Sequence, residues 1–171
     1  LIGKNIFKNK NLFIKSKNTK NFLNEENIDD ICGACQNMSK TKTGAIIIIE
    51  RNDNLDQIIK TGRVISSNLS QIMIESVFYK NAPLHDGAIV IINKKIIGAR
   101  CVLPISESNI ILTEMGMRHK AALGVTEIHD CIAITVSEQN GKISFFENGK
   151  MQTNLETKKL KDLLTLSSSK K

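Results

Sequence analysis

Two short segments set polar and charged residues at the ends of apolar elements, where side chains project and chemistry becomes available. The first is Leu84-His85-Asp86-Gly87-Ala88, just after Pro83 and leading into an apolar run. An Asp-Gly pair at a strand start is ordinary turn chemistry, because glycine tolerates unusual dihedrals and Asp bonds the local backbone. Asp86-Gly87 therefore carries little information alone. The second is Gly116-Met117-Arg118-His119-Lys120, which opens a helical pattern. Three consecutive basic-type residues at a helix N-terminus oppose the macrodipole, and an anion there would relieve the conflict. Free backbone N–H groups at that end, with Arg118 and Lys120, would make a phosphate cradle. Within the same helix, Gly124 costs about 1 kcal/mol relative to Ala. The spacing thus predicts a close backbone approach by a neighbouring element.

Cys32-Gly-Ala-Cys35 has CxxC spacing, but no second pair or suitably spaced His follows it, and its surroundings read as an amphipathic helix. With Cys101 and Cys131, these are expected to be free thiols of a reducing compartment rather than a metal or redox centre.

The elements that must position the two segments follow from periodicity. Asn24 and the acids after it start a helix with Ile28, Ile31, Cys35 and Met38 on one stripe. Ile46 to Ile49, β-branched and without polar alternation, suits a central strand covered on both faces. Residues 54–60 form a short helix ending at Gly62, and Ser70 to Tyr79 a longer one stopped by Asn81-Ala82-Pro83. Gly87 to Ile92 and Ile96 to Leu103 make a hairpin across Asn93-Lys94-Lys95. Gly116 to Ile128 is a helix with Ala122, Val125 and Ile128 at helical spacing. Cys131 to Val136 and Lys142 to Phe146 form a second hairpin around Asn140-Gly141, and residues 155–166 close the chain with a helix bearing Leu155, Leu160, Leu163 and Leu164. Strands interleaved with helices, with two hairpins, imply an α/β fold: a single globular domain with a mixed-strand central sheet flanked by helices.

In this order, LHDGAIVI, GMRHKAALGVTE and VSE resemble the diadenylate cyclase family, of the DisA/CdaA type, from about Ile28 to Leu164. The arrangement is closest to the membrane-anchored CdaA branch. The resemblance implies condensation of two ATP into cyclic di-AMP and two pyrophosphates, in a site formed between two facing subunits. It implies that Asp86 activates the ribose 3′-hydroxyl and that His85, with Glu138, holds a divalent metal, Mn2+ or Mg2+. Gly87, Ala88 and Leu103 would line the adenosine pocket. Met117, Arg118, His119 and Lys120 would lie against the triphosphate, Arg118 and His119 counting with Asp86 as catalytic. Ser137 and Glu138 match the family's Ser-Glu near the terminal phosphates, and equally suit a polar strand end before a turn. By the same resemblance, partners would be a regulatory membrane protein and phosphoglucosamine mutase.

This sequence departs from the family's Thr-Arg-His-Arg at Met117 and Lys120. Lysine keeps the charge of arginine but loses its planar fork. The departure leaves open a second reading, a catalytically weakened module that senses adenine nucleotides.

Composition narrows the rest. The formal charge is +7, yet residues 1–20 hold six lysines and no acid, leaving 18 basic residues against 17 acidic ones beyond them. A nearly neutral body with one Tyr and no Trp lacks the aromatic platform and basic groove of a nucleic-acid binder. The lysine-rich start reads as a solvated arm or a juxtamembrane segment, and Ile, Asn and Lys abundance is also what an AT-rich genome writes. Residues 1–23 are therefore expected to be a basic arm, 24–166 the catalytic domain and 167–171 a flexible tail. Leu1 in place of Met points to a segment upstream, and with it to the cytoplasmic face of the membrane for the full-length protein.

Overall fold

The computed structural model describes residues 22–108 and 115–169; most of the basic arm lies outside them. Asn24 opens α1 (Glu25–Thr41) with a capping box: its side chain accepts from Asn27 N at 2.8 Å, and Asn27 Oδ1 accepts from Asn24 N. Ile28, Ile31, Cys35 and Met38 are all buried along the expected stripe. Leu23, expected in the arm, is buried as well and packs into the same core.

Next come β1 (Ala45–Glu50), α2 (Asp56–Ile59), β2 (Arg63–Asn68), α3 (Gln71–Phe78), β3 (Ala88–Ile92) and β4 (Lys95–Cys101). The chain continues with α4 (Met117–Ile128), β5 (Cys131–Val136), β6 (Ile143–Glu147), β7 (Lys150–Gln152) and α5 (Thr157–Ser169). Among the described residues the strands form one seven-stranded sheet in the order β2-β4-β3-β1-β5-β6-β7. It is mixed: β1 runs parallel to β3 and antiparallel to β5. No helix there is long and apolar enough to cross a membrane.

The all-buried Ile46–Ile49 run of β1 divides its side chains between two cores. Ile47 and Ile49 join residues of α1, α3 and α5 on one face, whereas Ile46 and Ile48 join α2 and α4 on the other. Each fully buried isoleucine contributes about 1.5–3 kcal/mol, so this strand is the main bolt between the layers.

Two strands escaped the sequence reading. Edge strand β2 is largely exposed, with a register shift between Val64 and Ser67, and β7 has three residues, so neither shows a buried period. Other boundaries moved too. Ile128 is exposed rather than part of the α4 stripe. α5 runs to Ser169, with Ser167 and Ser168 buried, so residues 167–169 are helix rather than tail; the last two residues lie outside the described ones. All four cysteines are free and buried. Burial pushes the Cys32 thiol up to about 11 and Cys131 up to about 12, which makes them core residues poor in thiolate.

Candidate active site

The N-terminal end of β1, the C-terminal end of β5 and the start of α4 enclose a cavity of about 730 Å³. Asp86 and Gly87 reach it from one side and Arg118 from another, so the two segments singled out in the sequence converge. His85, Leu103, Met117, His119, Ser137 and Glu138 also line it. Ala88, buried in β3, and Lys120 lie off its wall.

Local constraints explain how the Asp86 segment is aimed. Gly87 has φ +86°, and a Cβ there would sit 2.7 Å from the Cys101 carbonyl, so only glycine lets the chain enter β3 so close to the end of β4. Before it, the Ala82 carbonyl accepts from His85 N at 3.2 Å and lies 2.6 Å from His85 Nδ1. A carbonyl can only accept, so Nδ1 is the donor and Nε2 is the ring nitrogen turned to the cavity side chains. That Nε2 lies 3.4 Å from Asp86 Oδ1, and the Asp86 side chain is 74% exposed. Among the described residues no three His, Cys, Asp or Glu side chains gather as a metal cage. The His85 nitrogen and the Glu138 carboxylate on the same wall nevertheless suit a divalent ion that takes its other ligands from phosphate and water. Glu138, the other expected metal ligand, lines the same cavity as His85.

At the other wall, α4 begins at Gly116, which has no side chain to cap the helix, and no acid lies in the first turn. His119 N and Lys120 N donate to the Gly116 carbonyl at 3.1 and 3.3 Å, which leaves the Met117 and Arg118 N–H groups without an acceptor in the helix. The three basic-type residues diverge. Arg118 lies over Gly44, where a Cβ would overlap the guanidinium, and its Nη1 pairs with Glu138 Oε2 at 3.1 Å. With Glu138 62% exposed, such a pair is worth about 0.2–1 kcal/mol and is readily exchanged for an anion. His119 turns inward instead: Nε2 lies 3.2 Å from Ser144 Oγ, and its ring meets Phe146 edge-on with centroids 6.0 Å apart. Burial lowers its pKa, so it is neutral near pH 7 and brings no charge. At Lys120 the backbone carbonyl accepts from Ser106 N at 3.0 Å.

Gly124 does what its cost implied. A Cβ there would overlap Pro104 O and Ser106 N, so the segment after β4 lies directly on α4 and carries Leu103 to the cavity. Ser106 Oγ donates to Glu127 Oε1 at 2.7 Å and fastens the two together. Ser137 is a turn residue as well as a wall residue, its Oγ accepting from Gln139 N at 3.2 Å and Asn140 N at 3.4 Å. Gly44, Lys142 and Ser144 were not picked out in the sequence. Gly44 merely precedes the predicted strand at Ile46, and the other two sit in an ordinary hairpin.

Residues 32–151 match the family described as DAC, the DisA bacterial checkpoint controller nucleotide-binding domain. This chain belongs to the DAC family. Its DAC domain is 41% identical over 123 residues to the diadenylate cyclase CdaS of Bacillus thuringiensis, covering 72% of this chain and 61% of that protein. It is 38% identical over 140 residues to the cyclic di-AMP synthase CdaA of Bacillus subtilis, covering 82% and 51% respectively. The chain thus spans between half and two thirds of these two relatives. A crystal structure of a DacA double mutant from Staphylococcus aureus superposes with a TM-score of 0.82 at 38% identity, over 84% of this chain and 96% of that one. The α/β architecture is shared along that length, which bears out the expected fold class and family.

Proposed function

We propose that this DAC domain is a diadenylate cyclase joining two ATP molecules into cyclic di-AMP across two facing copies of itself. The observation that carries the reading is the meeting of Asp86 and Arg118 in one cavity large enough for a nucleotide. The names of its relatives, diadenylate cyclase and cyclic di-AMP synthase, agree with it.

In each site the 3′-oxygen of one ATP attacks the α-phosphorus of the other in line. A P–O bond forms, the α–β bridge breaks and pyrophosphate leaves. The 3′-hydroxyl proton passes to the Asp86 carboxylate, which is exposed toward solvent. Arg118, released from Glu138, bonds the phosphate oxygens through its fork and meets the charge that develops on them. The N–H groups of Met117 and Arg118, which have no carbonyl acceptor in the helix, act in the same direction. Leu103 offers an apolar wall for the base, and neutral His119 holds the start of α4 in place through Ser144. His85, with Glu138 once Arg118 has released it, would hold a divalent ion, Mn2+ or Mg2+, whose charge would neutralise phosphate. Since one Asp86 serves one hydroxyl and the product needs two bonds, two copies must face each other about a twofold axis.

Placement at the cytoplasmic face of a membrane, next to a regulatory membrane protein and phosphoglucosamine mutase, belongs to the same proposal; it rests on the family resemblance and the lysine-rich arm. Incubation with ATP and Mn2+, followed by mass detection of cyclic di-AMP and pyrophosphate, tests the activity. A protein that binds ATP and releases neither product would be the sensor module instead. Specific activity is expected to fall on dilution; strict proportionality to nanomolar enzyme would remove assembly of the site from weakly associating copies.

A further inference from the structure

The hairpin turn between β5 and β6 carries a cation on the cavity wall. Lys142 lines the cavity together with Arg118, whereas Lys120 does not. Strand alternation explains its direction. Ile143 and Phe145 enter the core beneath α1, so Lys142 and Ser144 project to the opposite face, where Ser144 meets His119.

The turn that holds Lys142 is braced on every side. Asn140 Oδ1 accepts from Lys142 N at 2.9 Å, and the Lys142 carbonyl accepts from Ser137 N at 3.0 Å. Ser39 Oγ, near the end of α1, donates to the Gly141 carbonyl at 2.6 Å. Gly141 has φ +75°, and a Cβ on it would overlap the Ser39 carbonyl, so the turn sits directly against that helix.

Charge then separates Lys142 from an ordinary surface lysine. The described wall residues carrying formal charge are Asp86, Glu138, Arg118 and Lys142. Arg118 is matched by Glu138. Lys142 makes no ion pair among the described residues, so its ammonium is the cation of that wall with no carboxylate to displace. A triphosphate entering the cavity brings several negative charges and would find it unopposed. We propose that Lys142 is the second phosphate-binding cation of the site, in the role that the sequence assigns to Lys120. The proposal rests on the nucleotide reading above and names a further substrate-contacting residue for it.

Calorimetry with ATP and, separately, with adenosine separates the possibilities. Lys142→Gln is expected to weaken ATP about five- to tenfold, the scale of one charge-assisted contact, and to leave adenosine unchanged. Lys142→Arg should restore ATP binding to within about twofold, because it returns a phosphate donor. Lys120→Gln should cost less than Lys142→Gln. Should Lys142→Gln bind ATP as wild type does, or weaken adenosine as much as ATP, Lys142 is no phosphate ligand and the proposal falls while the nucleotide reading stands. Should the wild-type protein take up no ATP at all, the nucleotide reading fails and carries this one with it.

Discussion

The two ends of β1 treat charge in opposite ways. Beyond Glu50, Arg51 is 10% exposed and pairs with both Asp130 and Glu147; Asn52 also bonds Asp130, and Asp53 Oδ2 accepts from Asp130 N at 2.7 Å. At the Ala45 end, Arg118 has one exposed carboxylate, Asp86 stands in solvent and Lys142 is unpaired among the described residues. One arginine is locked into a network that ties β1, β5 and β6 together; the other is held loosely enough to change partners. Stability is concentrated at the Glu50 end and chemistry at the Ala45 end, since an ion pair must be weak to be replaced by substrate.

Substitutions at the two ends should therefore separate activity from stability. Asp86→Asn is expected to lower cyclic di-AMP formation about 10²–10⁴-fold, the span of a lost general base, with little change in Tm because the side chain is exposed. A large Tm loss would erase the contrast. Arg51→Met at the other end should lower unfolding free energy in urea by about 2–3 kcal/mol, somewhat under the loss for a fully buried pair because Asp130 keeps 29% exposure. Its remaining folded fraction should bind ATP normally. Gly44→Ala should displace only the tip of Arg118 and weaken ATP about tenfold, or about 1.4 kcal/mol, with the unfolding midpoint nearly unchanged.

The smallest effect concerns pH. Burial lowers the His119 pKa below 6.5, so between that lowered value and 6.5 the unfolded chain binds the proton more readily than the folded one. Stability is thus undiminished by this group above pH 6.5 and declines as pH falls through that window. His119→Gln should flatten the decline in urea titrations across pH 5–7; an unaltered slope would assign the decline to other groups.

Much of this was readable in the sequence because its physical signal is local. The Asn24 cap, the α1 stripe and the two hairpins follow from periodicity and turn residues. Gly124 announced a close approach by its helical cost, and the approach is present. Polar edge strand β2 gave no period to read. Arg118, His119 and Lys120 looked like one basic cluster, yet helical rotation pairs Arg118 with Glu138, turns His119 from the cavity wall toward Ser144 and leaves Lys120 off the wall.

Local pattern was enough for the helices, for the described strands other than β2 and β7, and for the two segments that carry reactive groups, because propensity, capping and apolar period act over a few residues. Tertiary structure alone decided that Asp86 and Arg118 share a cavity, that Gly44 seats a guanidinium, and that Lys142 rather than Lys120 faces the space between. Those outcomes depend on strand order, register and the angle at which α4 crosses the sheet. Such quantities are set by the packing of residues far apart in sequence, which no local pattern encodes.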